Sequence, residues 1–229
     1  MLIIGHRGAG GLAPENTLDS LRAGVEAGAD MLELDVRVTK DRVPVVIHDS
    51  RLIRTHRRRE SVAGLTLREL AEATADQPVP TLQAVLDEYF GKILLNIELK
   101  ARGSGQVVLE LLESRYIKKT KDWESVMLSS FKGTELVAIR RRAPKANLAM
   151  LHSENPFIFV AYHRFVQLTA VGFHRLYLNR FALEIAKKSG LFIYTYTVNR
   201  PAALPLLEAQ GVDGIVTNYP DKFRDALEK

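Results

Sequence analysis

Short apolar segments alternate with helix-spaced apolar stripes from one end of the 229-residue chain to the other. The pattern predicts strands over Leu2–Gly5, Met31–Val38, Pro44–His48, Ile93–Leu99, Ser125–Ser129, Asn147–Leu151, Val166–Val171, Leu191–Thr197 and Gly214–Thr217. Between them, Leu18, Leu21 and Val25 share one helical face, as do Leu82, Val85, Leu86, Tyr89 and Phe90. Further stripes run through Val107, Val108, Leu111 and Leu112, and through Leu204 and Leu207. Asn16 precedes the first helix with Asp19 three residues on, close to a capping box, and Gly28 follows it where a terminating glycine belongs. Strands alternating with helices over this length predict a parallel α/β fold, in one domain covering residues 1–229. A closed (β/α)8 TIM-type barrel fits better than a doubly wound sheet. Gly8, Gly10 and Gly11 are wrongly spaced for a dinucleotide fingerprint, and charged residues end several different strands. The chief irregularity is the stretch 49–81, with one predicted helix at Thr66–Ala73 and several arginines.

Side-chain parity picks out the chemistry. In Met31-Leu32-Glu33-Leu34-Asp35-Val36, residues two apart share a face, so Glu33 and Asp35 stand side by side, opposite Leu32, Leu34 and Val36. If the apolar face packs on helices, both carboxylates point into the barrel, where two unpaired anions are costly. A divalent cation removes that cost, as would an Arg or Lys partner. Asn96, Glu98 and Lys100 share the inward face of another strand, with Lys100 at its C-terminal end, where barrel active sites lie. Lys100 can also simply pair with Glu98. Three carboxylates make a hard, all-oxygen donor set suited to Mg²⁺ or Ca²⁺. His6 and His48 both end predicted strands, and would meet across one mouth. Cleaving a phosphodiester takes a base for the attacking oxygen and an acid for the leaving alkoxide, and histidine suits both. Arg7 can offer a bidentate fork to phosphate, and the glycines after it allow close backbone approach. His56, His152, His163 and His174 have no such company and are expected on the surface or in packing.

Composition narrows the field. With no cysteine, thiol catalysis, cysteine-ligated zinc and a disulfide framework are excluded. The opening Met1-Leu2-Ile3-Ile4-Gly5-His6 does not read as a leader, and no apolar run reaches the ~18 residues of a membrane span, so a cytoplasmic protein without stable membrane anchoring is expected. The net charge of +5, with basic clusters at 51–59, 118–121 and 140–142, favours an anionic partner, although solvated loops and helix faces account for each cluster more readily.

At these residues the chain resembles the glycerophosphodiester phosphodiesterases. His6-Arg7-Gly8 with Pro14-Glu15-Asn16-Thr17 matches the family's opening. Glu33-Leu34-Asp35-Val36, Val45-Val46-Ile47-His48-Asp49, Asn96-Ile97-Glu98-Leu99-Lys100 and Gly211-Val212-Asp213-Gly214 follow in order, over nearly the whole chain. The resemblance implies a TIM-type barrel that hydrolyses glycerophosphodiesters to sn-glycerol 3-phosphate and an alcohol. It also implies one divalent cation on Glu33, Asp35 and Glu98, His6 and His48 as general acid and base, and Arg7 and Lys100 facing the phosphate. The substrate is then a small molecule. A related enzyme acting on phosphoinositides or lysophospholipids is the alternative. A non-catalytic nucleic-acid or anion binder leaves the carboxylates and histidines without a purpose, so no nucleic-acid partner is expected. Both a monomer and a homodimer are compatible with the sequence. Three departures stand out: Tyr196 at the family's Trp position, Asn218 at its usual Asp, and Arg54-Thr55-His56-Arg57-Arg58-Arg59-Glu60 in a usually glycine-containing segment. None coincides with the carboxylate set or the histidines, so all three are expected to shape the alcohol side of the pocket.

Overall fold

The computed structural model of the chain describes residues 1–152 and 154–228. Its strands are β1 (Leu2–Gly5), β2 (Met31–Val38), β3 (Pro44–Val46), β4 (Leu94–Leu99), β5 (Val126–Ser130), β6 (Asn147–His152), β7 (Ala170–His174), β8 (Phe192–Tyr196) and β9 (Gly214–Thr217). The α-helices are α1 (Leu18–Glu26), α2 (Ile53–His56), α3 (Leu67–Ala73), α4 (Leu82–Tyr89), α5 (Ser104–Leu111), α6 (Gly133–Arg142), α7 (Ile158–Val166), α8 (Arg180–Lys188), α9 (Leu204–Ala209) and α10 (Pro220–Leu227). Eight parallel strands close in the order β1-β2-β4-β5-β6-β7-β8-β9, with β9 returning to pair with β1. This is the expected (β/α)8 barrel.

Parity sorts the core into two layers. Ile3, Leu32, Leu34, Val36, Ile97 and Ile215 face outward and pack against the helices. Ile4, Met31, Met127, Ala149, Tyr194 and Val216 fill the barrel interior. Glu33 and Asp35 therefore point inward, as read from the alternation.

Two strands differ from expectation. Pro44–His48 was expected to end at the mouth in parallel with the first strand. Instead β3 runs antiparallel to β2, pairing Val46 with Val36 and Pro44 with Val38, and lies outside the closed barrel. Only residues 39–43 separate β2 from β3, far short of the dozen or so that a parallel crossover needs. His48 thus enters the site from the return leg of a hairpin. Strand β7, the sixth of the barrel, begins at Ala170 rather than Val166, because Val166 closes α7 and Gln167 turns the chain in a left-handed conformation.

The first helix is capped by Thr17, whose hydroxyl accepts from Ser20 N–H while Ser20 Oγ lies 3.3 Å from Thr17 N, completing a capping box. Asn16, expected in that role, is drawn into the site. Gly8 makes the approach possible. It holds φ +86°, and a Cβ there would lie 2.4 Å from the Ser20 carbonyl carbon.

Candidate active site

The chemistry sits at the C-terminal mouth of the barrel. Glu33 and Asp35 are in register with Asn96 and Glu98 on the neighbouring strand, so two short rows of polar side chains meet on the inner wall. Carboxylate oxygens of Glu33, Asp35 and Glu98 lie within 4.8 Å of one another. Lys100 Nζ donates to Glu98 Oε1 at 2.6 Å and lies 3.5 Å from Asp35 Oδ1, while Arg7 Nε is 3.2 Å from Asp35 Oδ2. The ion pairing left open by the sequence is therefore present, but it is uneven. Asp35 has two cationic neighbours and Glu98 has one. Glu33 receives the Arg7 backbone N–H at 2.8 Å and has His6 Nε2 at 4.0 Å.

Arg7 and Asn16 both adopt left-handed backbone, with φ of 52° and 58°. Such residues cost about 1–3 kcal/mol each and persist where surrounding contacts hold them. Here the contacts are the carboxylates. Arg7 N–H binds Glu33, and Asn16 clamps Asp35 from both sides, donating to Oδ2 at 2.9 Å and accepting from the Asp35 N–H at 3.1 Å.

The electrostatics follow the same asymmetry. Burial and the charges of Asp35 and Glu98 push the Glu33 carboxyl well above the ordinary range. Burial and Asp35 push Glu98 up to about 7, against the pull of Lys100. Burial alone would raise Asp35 too, yet Lys100, Arg7 and His48 hold it low. Burial lowers both histidines; Arg7 adds to the effect at His6, while at His48 Asp35 and Asp49 oppose it.

A cavity of about 30 Å³ lies between these groups, lined by His6, Glu33, Asn96, Glu98, Tyr194 and Tyr196 among others. Buried Asn96 Oδ1 has no hydrogen-bond partner among the described residues. The inner wall is short of positive charge at Glu33 and carries an unused neutral oxygen beside it. Those donors suit a hard divalent cation. The larger cavity at the opposite, N-terminal end, lined by Leu2, Met31, Leu94 and Phe192, is apolar and far from this chemistry.

Of the departures expected to shape the alcohol side, Asn218 and, within the Arg54–Glu60 segment, Arg54 contact the histidines or their partners. Asn218 Oδ1 is 2.6 Å from His6 Nδ1, because Asn218 follows β9 just as His6 follows β1, and those strands pair. His48 Nδ1 meets Asp49 Oδ1 at 2.7 Å, and Asp49 Oδ2 accepts from Arg54 Nε at 2.6 Å. Arg54 also grips both oxygens of Glu15, at 2.5 and 2.9 Å, and Glu15 in turn accepts from Arg7 at 2.7 Å. Arg7, Glu15, Arg54, Asp49 and His48 thus form one continuous chain across the mouth. Tyr196 does stand on the pocket wall, its ring 6.0 Å from Phe131 and its hydroxyl donating to the His152 carbonyl at 2.5 Å.

Glu15, Asn16, Asp49 and Asn218 were not singled out from the residue pattern as site members. Asp49 had a local signal, its adjacency to His48, and the other three become visible only once the chain is closed into a barrel. Among the remaining histidines, His152 packs edge-on to Phe173 at 4.5 Å between barrel and helices, where burial lowers it to about 4. His174 lies against Tyr196 and Tyr177 on the mouth wall.

Titratable groups beside a carboxylate cluster at the C-terminal mouth are the arrangement of a (β/α)8-barrel enzyme's active site. Residues 6–222 match the model of the glycerophosphoryl diester phosphodiesterase family. YhdW of Bacillus subtilis is 37% identical, over 96% of each chain. The glycerophosphodiester phosphodiesterase of Caldanaerobacter subterraneus subsp. tengcongensis is 32% identical, over 100% of this chain and 98% of its own. Among solved structures, an Oleispira antarctica phosphodiesterase in complex with the product sn-glycerol-3-phosphate superposes with a TM-score of 0.87 at 25% identity, covering 100% of this chain and 97% of that one. The chain belongs to the glycerophosphoryl diester phosphodiesterase family.

Proposed function

We propose that the protein hydrolyses glycerophosphodiesters to sn-glycerol 3-phosphate and an alcohol, with His6 and His48 as the acid–base pair. The observation that carries this reading is the gathering of three carboxylates, two cations and two histidines at the barrel mouth, where His6, Glu33 and Glu98 line a small cavity. A phosphodiester carries one negative charge, and Arg7 and Lys100 are the cations that would face its non-bridging oxygens. Asp35 and Glu98 hold Lys100, while Asp35 and Glu15 hold Arg7, so the two cations are kept in place by carboxylates rather than by substrate.

Glu33, Asp35 and Glu98 would hold one divalent cation, Mg²⁺ or Ca²⁺. Bound there, it would polarise a phosphoryl oxygen and lower the pKa of a nearby hydroxyl or water. The histidines divide the proton work. Burial keeps His6 largely neutral, and its Nε2 is turned toward Glu33 and the cavity. Burial also lowers His48, but the carboxylates of Asp49, at its Nδ1, and of Asp35 oppose that shift and favour its protonated form. His6 is then the group suited to take a proton from the attacking oxygen, and His48 the group suited to protonate the leaving alkoxide. Asp49 and Asn218 fix the two rings by their Nδ1 atoms, leaving Nε2 free in each.

Release of glycerol 3-phosphate from glycerophosphocholine and glycerophosphoethanolamine, measured with EDTA, Mg²⁺ and Ca²⁺ in parallel, tests the proposal. Metal-dependent release is expected. No release from either substrate under any condition would overturn it.

A further inference from the structure

The exposed large apolar side chains are unevenly distributed over the surface. Among the described residues eleven are exposed. Six of these lie in loops or first helical turns that follow barrel strands, and Ile53 opens α2 after the β3 return leg that carries His48 to the mouth, so seven lie at the mouth end. Val25, Phe165 and Leu227 lie at the far ends of their helices, and Leu206 lies between. Four of the mouth residues form one patch beyond β6 and β7. The Phe157 and Phe181 rings are 6.2 Å apart, and Leu176 and Tyr177 precede Phe181 in the same loop. Leu176 is 68% exposed and Phe181 64%.

Exposed cations are interleaved with this patch. Arg175 precedes Leu176, and Arg180 precedes Phe181 with only the exposed Glu184 for company, at 3.7 Å. Across the mouth, Arg57, Arg58 and Arg59 are exposed in the loop after α2. Catalysis on a small soluble diester uses none of these residues. Arginines standing among protruding aromatic and leucine side chains suit a boundary where anionic headgroups lie above acyl chains. Guanidinium groups pair with phosphates, and the apolar tips reach past them. A protein groove would offer the apolar contact but not a continuous sheet of negative charge wide enough for arginines on both sides of the mouth.

We propose that the mouth end docks reversibly on an anionic lipid surface, with Leu176, Tyr177 and Phe181 seated at the headgroup–acyl boundary and Arg57, Arg58, Arg59 and Arg175 on the headgroups. The docking is separable from hydrolysis, since binding is read without turnover and would persist if the proposed substrate were wrong. If that reading also holds, docking turns the active-site mouth toward phosphodiesters at the lipid surface.

Co-sedimentation with vesicles of phosphatidylcholine alone, or containing about a third phosphatidylglycerol, tests it against two variants. One is Leu176→Ser with Phe181→Ser; the other is Arg57→Gln, Arg58→Gln and Arg59→Gln. The wild-type chain is expected to partition onto the anionic vesicles at low salt and to release as salt rises. Each variant should lose at least tenfold in partition coefficient while hydrolysing a soluble glycerophosphodiester at the wild-type rate. A wild-type chain that stays in the supernatant with anionic vesicles overturns the proposal, and so do variants that sediment like the wild type. Self-association without lipid, abolished by the Leu176→Ser/Phe181→Ser pair, would identify the patch as a contact between two copies and overturn it equally.

Discussion

Arg54→Ala should slow turnover about tenfold although Arg54 does not line the cavity. The guanidinium makes three charge-assisted hydrogen bonds, two to Glu15 and one to Asp49. Its side chain is 50% exposed, so solvent screening reduces each bond to roughly 0.5–1 kcal/mol, and the total cost to stability is about 1.5–3 kcal/mol. The functional cost arises because Arg54 holds the partners of two active-site groups at once. Without it, Asp49 is free to turn from His48, and Glu15 keeps Arg7 as its one remaining cation. Loosening an acid–base group and a phosphate ligand by about 1.4 kcal/mol in the transition state corresponds to tenfold in kcat. KM should change by less, because Arg7 keeps its contact with Asp35. Lysine carries the charge but not the fork, and cannot span both carboxylates, so Arg54→Lys should recover only part of the rate. Initial rates of glycerol 3-phosphate release, with thermal melts on the same samples, separate misplacement from unfolding. Turnover of the alanine variant within twofold of wild type, with both variants folded, would refute the bridging role.

Further outcomes follow from the same geometry. His6→Ala and His48→Ala should each lower kcat by about 10²–10⁴-fold, and near-normal rates in both would remove the acid–base assignment. Glu33→Gln and Glu98→Gln should weaken Mg²⁺ or Ca²⁺ binding by calorimetry, and unchanged isotherms would rule them out as ligands. Glu98, raised from the usual carboxylate range to about 7, and Glu33, raised in the same direction, bind protons more tightly folded than unfolded. In the metal-free protein these two carboxyls contribute stability that is lost as pH rises from about 5 through 7, while His6, His48 and His152, all lowered by burial, gain stability over the same range. Glu98→Gln removes one of the opposing carboxyls, so the metal-free melting temperature of that variant should climb more steeply with pH than wild type, and an unchanged slope would contradict the buried-carboxylate argument. Gly8→Ala should destabilise by at least ~2 kcal/mol, since it adds left-handed strain to a 2.4 Å clash with helix backbone, and a melting temperature within a degree or two of wild type would show that α1 can give way.

Much of the site was legible because parity in a strand is a rigid rule. Once Leu32, Leu34 and Val36 are placed against helices, Glu33 and Asp35 have only the interior left, and the same holds for Asn96, Glu98 and Lys100 opposite Ile97 and Leu99. The rule says nothing about strand direction. His48 was expected at the end of a parallel strand, yet residues 39–43 can close only a hairpin, so the count of residues between two apolar runs carried information that their alternation did not. The contacts of Asn16 with Asp35, and of Arg54 with Glu15, have no local signature. They arise from loops folding over the mouth, at sequence separations of 19 and 39.

Asn218 shows how far closure alone reaches. It is 212 residues from His6, and nothing near either residue hints at a contact. A closed barrel nevertheless puts its last strand beside its first. With Gly5 in register with Thr217, the residues that follow each must emerge side by side. A change of side chain at 218 is thus a change at His6 and only indirectly one at the leaving group. An amide oxygen keeps the acceptor that holds the Nδ1 proton but removes the charge that a carboxylate would place there. The ring keeps its orientation, with Nε2 toward the cavity, while losing the strongest local reason to stay protonated. Asn218 still favours protonation of His6 through its hydrogen bond, but less than a carboxylate would, which leaves burial and Arg7 to hold the ring toward the neutral form that the proposed general base requires.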